Sequence, residues 1–563
     1  MDPQIASRKR APLVHLSHPD HHIPGFEVPA EAAGPMNKKW LVLGAVLAAG
    51  AALLSFWFEH LGEKAAAPSV AMPWVLPFVL LLACIATMPF IAKHFWEKNY
   101  QWVSIGLGAI VSIYYVVFLH AADSVAKSMG EYISFIFLLG SLFVVSGGIL
   151  IRVRRKATPL VNTVLLLVGA ILANVFGTTG ASMLLIRPFL RINKGHIRPY
   201  HVVFFIFSVS NLGGSLTPIG DPPLFLGYLK GVPFFWVLEH CWPAWCVGVG
   251  ALMAIFFVID TISHAKESRA PHDENDLGPA VSVYGAGNLV FIVMILVGVF
   301  LDPPFRELLM AAAAIGSLWT TSHRIHFENT FNFAPIKEVA LLFVGIFATM
   351  VPALNYLSNH ANDEAFKKYL QTPGQFYFSS GTLSSVLDNA PTYLTFLETE
   401  VGKIDKKLIA VATDVVKDKT KDAPDAADYA KLYQSDAQRY ENDPAAFDRD
   451  KKTLDDAVVL GLQKYHGEKV KNGKLTKDEI EVGFLLGDEK LNWYIVAISL
   501  GSVFFGAMTY IGNGPNFMVK SIAENAGVKC PSFFGYIFTY SLPILLPILI
   551  LIWAIFLRAH GGD

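Results

Sequence analysis

Residues 214–223 read GSLTPIGDPP, and residues 506–515 read GAMTYIGNGP. Five of the ten positions match. Each stretch interrupts a long apolar segment with Thr, Gly, Pro and an Asp or Asn. Pro lacks a backbone donor and Gly tolerates non-helical angles, so neither segment reads as an unbroken helix. Paired, interrupted apolar segments in corresponding halves of a chain point to the substrate site of a secondary transporter.

Composition fits that reading. The chain has 563 residues, 53% hydrophobic and only 16% charged, where soluble proteins carry about 25% charged residues. Many apolar runs reach the ~20 residues that cross a bilayer core. The net charge of −1 gives no sign of a nucleic-acid partner. Cys84, Cys241, Cys246 and Cys530 sit in or beside apolar runs and form neither a disulfide nor a zinc pattern. The first apolar run starts near Trp40 after a polar tail, and it reads as an uncleaved anchor rather than a signal peptide.

The apolar runs of the first half are 40–58, 72–93, 102–121, 131–151, 158–191, 199–229 and 233–262. Those of the second half are 282–301, 305–321, 335–354, 374–397, 490–522 and 532–558. Cytoplasmic loops collect Lys and Arg. Arg8, Lys9, Arg10, Lys38 and Lys39 therefore place the N-terminus in the cytoplasm, with the chain multi-pass in the cell (inner) membrane. Residues 158–191 break the alternation, because basic clusters flank both ends while Asn174–Gly180 interrupts the middle. The economical solution is a re-entrant hairpin, tolerated only where its tip is buried in protein or lines a wet cavity.

By the same count, 374–397 forms a second hairpin on the outside, with its tip at Leu387–Thr392. The order hairpin, broken span, intact span then occurs twice with opposite orientation. The expected fold class is an all-α polytopic membrane protein with about eleven transmembrane helices and two re-entrant hairpins in an inverted repeat. The expected domains are a cytoplasmic disordered tail (1–39), an anchor helix (40–58), a first repeat (72–262) and a second repeat (282–558). Thr178 and Thr217 are 39 positions apart, but Asn389 and Thr509 are 120 apart. The excess is the charged stretch 398–490, read as an extramembrane insert on the outer face whose removal should leave the core able to close. The His-rich tail with His15, His18, His21 and His22 reads as disordered and polar.

Asp221 and Asp388 carry the chemistry in this reading. Each lies in a Pro-flanked break near the membrane midplane, where an ionised Asp costs about 2.5–3.5 kcal/mol. They could serve only as helix caps, but a cap open to a cavity still offers a free oxygen. Around them stand neutral oxygen and amide groups: Asn174, Thr178, Thr179, Asn211 and Thr217 in one half, and Asn389, Thr392, Thr509 and Asn513 in the other. Hard cations prefer such oxygen ligands. An ionised Asp388 would repel a carboxylate 4 Å away by about 4 kcal/mol, and attract a cation equally, at an effective dielectric near 20. A carboxylate that holds either a proton or a sodium ion makes their exchange natural. Asp388, on a hairpin tip, is the stronger candidate for direct ion contact and Asp221 the second.

The segments SNLGGSLTPIGDPP (210–223), LSSVLDNAPT (383–392) and TTGASMLLIRP (178–188) resemble the NhaD-type sodium/proton antiporters and their citrate-transporter relatives in the ion-transporter superfamily. The likeness runs from about 72 to 558, apart from the insert. It implies a homodimer in membrane lipid, elevator-type alternating access, and an ion site built from hairpin tips and broken helices. Asp221, Asp388, Asn389, Thr178 and Thr217 are the matching positions. Sodium (or lithium)/proton antiport is the leading function, with small inorganic cations and protons as cargo and no cofactor. A transporter of citrate or another anion is the alternative, followed by arsenite-type efflux. An enzyme would need a nucleophile–base pair or metal set, and no His, Cys or Lys accompanies the two Asp motifs.

Overall fold

The computed structural model describes residues 38–62, 68–153, 157–266, 281–361, 363, 369–418 and 421–560. The His-rich tail and the basic residues 154–156 lie outside the described residues. Eight described helices are long and apolar enough to cross a membrane: Val42–Gly62, Met72–Pro89, Lys93–Phe118, Ala122–Gly147, Pro159–Ile192, Trp236–Ala265, Ala334–His360 and Phe533–His560. A bent pair, Lys477–Gly487 with Asn492–Met508, would add a ninth. The other apolar runs of the sequence are absent from this set for local reasons. Residues 199–229 are split into Pro199–Ser208 and Pro222–Leu229. Residues 282–301 and 305–321 supply shorter helices, Asn288–Val299 and Phe305–Thr320. Residues 374–397 are divided at Leu387–Asp388.

The Pro159–Ile192 segment folds back on itself. Straight, its 34 residues would span about 50 Å at 1.5 Å per residue. Instead Asn162, in the first turn, exchanges amide hydrogen bonds of 2.9 and 2.8 Å with Asn193, just past the last. The reversal falls at Gly177, whose φ of 72° and ψ of 156° suit glycine and almost nothing else. A Cβ there would also lie 3.2 Å from the Ile219 carbonyl oxygen. We call this element hairpin 1.

Hairpin 2 comprises Pro373–Val386 and Asn389–Val401. Thr372 and Gln375 form a capping box at its start, and Asp388 caps the second arm by accepting from the Ala390 amide. Its ends also meet, since the Lys403 ammonium donates to the Leu370 carbonyl at 2.9 Å.

The only strands among the described residues, β1 (Leu150–Val153) and β2 (Val281–Tyr284), pair antiparallel, with Leu150 buried and Ile151 packed against the main core. The first helix, Lys38–Gly62, is more than a tether. Ser55 on it and Ser134 on the Ala122–Gly147 helix both donate to the Glu307 carboxylate, at 3.5 and 2.6 Å.

The insert has its own apolar core, built on Leu408, Val411, Val415, Leu432, Leu454, Val458 and Leu462. Its last helix, Lys477–Gly487, belongs to two cores at once. Phe484 faces the insert, while Val482, Leu485 and Leu486 join the main core. The junction is ionic as well. Lys230, 7% exposed at the end of the Pro222–Leu229 helix, contacts Glu131 at 2.9 Å, Asp478 at 3.3 Å and Glu398 at 3.5 Å. Lys127 reaches Asp478 at 2.6 Å.

Candidate functional site

The two interrupted segments and the two hairpin tips meet at Asp221. Its side chain is fully buried. Oδ1 accepts from the Thr178 hydroxyl at 2.7 Å and from the Asn513 amide at 3.0 Å. Oδ2 accepts from the Asn389 amide at 2.5 Å. Thr178 belongs to hairpin 1, Asn389 to hairpin 2 and Asn513 to the second interrupted segment. One carboxylate therefore gathers all four broken elements.

The backbone around it follows from the same residue types. Pro222 and Pro223 start a helix and cannot extend it backwards, so Asp221 stands at the break with extended angles. Asn513 stands likewise before Gly514 and Pro515. Glycines permit the close crossings. A Cβ on Gly220 would lie 2.1 Å from the Gly214 carbonyl oxygen, and one on Gly512 2.6 Å from that of Gly506.

The two halves repeat their hydrogen bonds. The Thr217 hydroxyl donates to the Asn174 carbonyl at 2.6 Å, and the Thr509 hydroxyl donates to the Ser385 carbonyl at 2.6 Å. Each threonine oxygen then accepts from the glycine three residues on, Gly220 or Gly512, at 3.1 Å. Asn174 completes the first crossing, donating to the Gly213 carbonyl at 2.7 Å and accepting from the Leu216 amide at 2.9 Å. Asn211 ties the halves together by donating to Asn516 Oδ1 at 2.7 Å and accepting from Asn513 at 3.3 Å.

Three expected residues stand apart from this set. Thr392 donates to the Asp388 carbonyl one turn back, at 3.0 Å. Thr179 is half-buried, and its side chain makes no hydrogen bond among the described residues. Asp388 is half-buried, and its carboxylate accepts from the Ala390 amide at 3.1 Å. Its neighbour Asn389, rather than Asp388 itself, hydrogen-bonds Asp221. Arg187 donates to the Thr330 hydroxyl and does not pair with Asp221.

One buried acceptor beside the carboxylate is open. Asn389 Oδ1 has no hydrogen-bond partner among the described residues. No Lys, Arg or His pairs with Asp221 among them either. No group of three or more His, Cys, Asp or Glu side chains there could hold a resident metal. The arrangement therefore offers oxygen ligands and one ionisable group, suited to a small cargo. The Lys230 cluster escaped the sequence reading. A lone lysine ending an apolar run was the available signal, but its carboxylate partners come from three distant segments.

Helices of membrane length, two hairpins and an oxygen-lined centre define a multi-pass membrane protein of the transporter class. Residues 67–557 match the family described as "Putative citrate transport", and the chain belongs to it. No curated protein matches the chain.

Proposed function

We propose that the protein is a secondary active antiporter that exchanges sodium or lithium for protons at Asp221, with Asp388 and Asn389 contributing from the tip of hairpin 2. The observation that carries this reading is the surroundings of Asp221. A fully buried carboxylate receives only neutral donors and has no cationic partner among the described residues. An unpaired buried charge is costly, so such a group holds either a proton or a bound cation. Asn389 Oδ1 supplies a further oxygen for the cation. Mutually exclusive occupancy by two ions couples their movements.

The repeated threonine and glycine hydrogen bonds support an inverted repeat. In that arrangement the hairpins and broken helices move as a transport unit past a dimeric scaffold. Carriage of citrate is the second reading, favoured by the family's description. The lack of any basic side chain against Asp221 weighs against a carboxylate in direct contact with it. Purified protein in liposomes with a lumenal pH dye tests the choice. NaCl or LiCl should drive proton movement, while KCl and potassium citrate should not. Proton movement driven by citrate alone would replace this reading with the second.

A further inference from the structure

A second site of opposite character lies away from Asp221. The second arm of hairpin 1, strand β1 and the helix His323–Glu328 enclose an open cavity of about 930 Å³. That is the upper range for a small-molecule pocket, roughly 300–1,000 Å³. Arg152, Arg191, His323, His326 and Glu328 line it.

Positive charge dominates the described lining residues. Glu328 is the lone carboxylate among them, and Arg152 claims it at 2.5 Å with Arg324 at 3.5 Å. Arg191 makes no ion pair among the described residues. Arg187, one turn back on the same arm, has only the neutral Thr330 hydroxyl as its hydrogen-bond partner among them. His326 is nine-tenths buried, and both of its ring nitrogens are sealed from solvent, so the two arginines are the donors the cavity offers.

None of Asp221, Thr178, Asn389 and Asn513 lines this cavity. A separate space between Ser146, Met183, Arg187 and Phe331 is only about 10 Å³, room for one water at most.

We propose that this cavity binds a multivalent oxyanion, a polycarboxylate or a phosphate group, held by Arg191 and Arg152. Guanidinium forks match carboxylate and phosphate oxygens in pairs. The anion would bridge hairpin 1 to the β1 and 323–328 segments, so it sets how freely that hairpin moves. The proposal stands apart from the cargo reading, because its test is binding and not transport.

The test uses the full-length protein in nanodiscs of zwitterionic lipid. Potassium citrate and potassium phosphate are titrated by calorimetry. In a third arm, phosphatidylglycerol is added and retained lipid is counted by native mass spectrometry. Binding of a soluble anion assigns a soluble ligand, and selective retention of phosphatidylglycerol assigns a lipid headgroup. Whichever probe binds should bind at least 10-fold more weakly to Arg191→Gln and equally well to Asp221→Asn. Arg191→Lys keeps the charge but loses the fork, and it should weaken binding several-fold; it decides the matter if the Gln variant does not fold. Binding by none of the three probes would overturn the proposal. So would undiminished binding by both Arg191 variants, or equal loss in Asp221→Asn.

Discussion

Asp221 and Asn513 stand 292 positions apart, at the same place in two matching motifs, and hydrogen-bond to each other at 3.0 Å. One motif supplies a carboxylate and the other the neutral amide of the same shape. A pair of carboxylates here would repel each other, whereas Asp with Asn leaves one ionisable group served by a donor. In the antiport proposed above, that asymmetry would let two similar motifs make a single proton-or-cation site.

Hairpin 2 should reveal itself through the pair Asp388→Asn and Asp388→Ala. Asn keeps the cap on the Ala390 amide, and Ala removes it at a cost of ~1 kcal/mol. Both remove the charge beside Asn389. Both variants should raise the sodium concentration for half-maximal exchange at least 10-fold, while only Ala lowers the melting temperature in detergent. Normal sodium dependence in both would reduce Asp388 to a cap.

The repeated hydrogen bonds make a symmetric forecast. Thr217→Val and Thr509→Val each leave a hairpin carbonyl without its donor. Interhelical hydrogen bonds in membrane proteins average ~0.6 kcal/mol and reach about 1.7. The two variants should be destabilised by similar amounts in that range, read by thermal unfolding. A large loss in one and none in the other would argue that the contacts are not equivalent.

Lys230→Met should be far more damaging. It strips the ammonium from among Glu131, Glu398 and Asp478. Removing one partner of a buried ionic cluster costs about 3–5 kcal/mol. A sharply lower melting temperature is expected, and an unchanged one would mean the cluster is solvated in the membrane-embedded protein. The same contacts refine the insert's role. Replacing 406–472 with a Gly/Ser linker should leave exchange measurable, because Lys477–Gly487 and its bonds remain. A deletion that also removes Lys477–Gly487 should not.

Much of this was legible in the sequence because the signals are local. Gly177, the Thr-Pro and Asp-Pro-Pro breaks, and the Leu-Asp-Asn-Ala-Pro tip each interrupt helix within a few residues, and the helices end or turn there. The matched threonines were visible by alignment. Their acceptors were not, since Asn174 and Ser385 contribute backbone oxygens, which leave no mark on residue identity. The relative placement of the two aspartates was also hidden. Both sit in similar Pro-flanked contexts, yet Asp221 is enclosed by three donors while Asp388 caps its own helix. Contacts across more than 160 positions decide that difference. The Lys230 cluster and the arginine-lined cavity likewise depend on which distant helix ends meet.

The most direct test is sodium-driven proton flux in Asp221→Asn. The substitution keeps the acceptor facing Thr178 and Asn513. Asn389 can turn its amide so that its unpartnered Oδ1 meets the new donor, so the stability cost should be near ~1 kcal/mol, one hydrogen bond's worth. Liposomes with a lumenal pH dye should show sodium-driven proton movement for the parent protein and at least 100-fold less for this variant, at matched incorporation. Normal flux from Asp221→Asn would contradict the account.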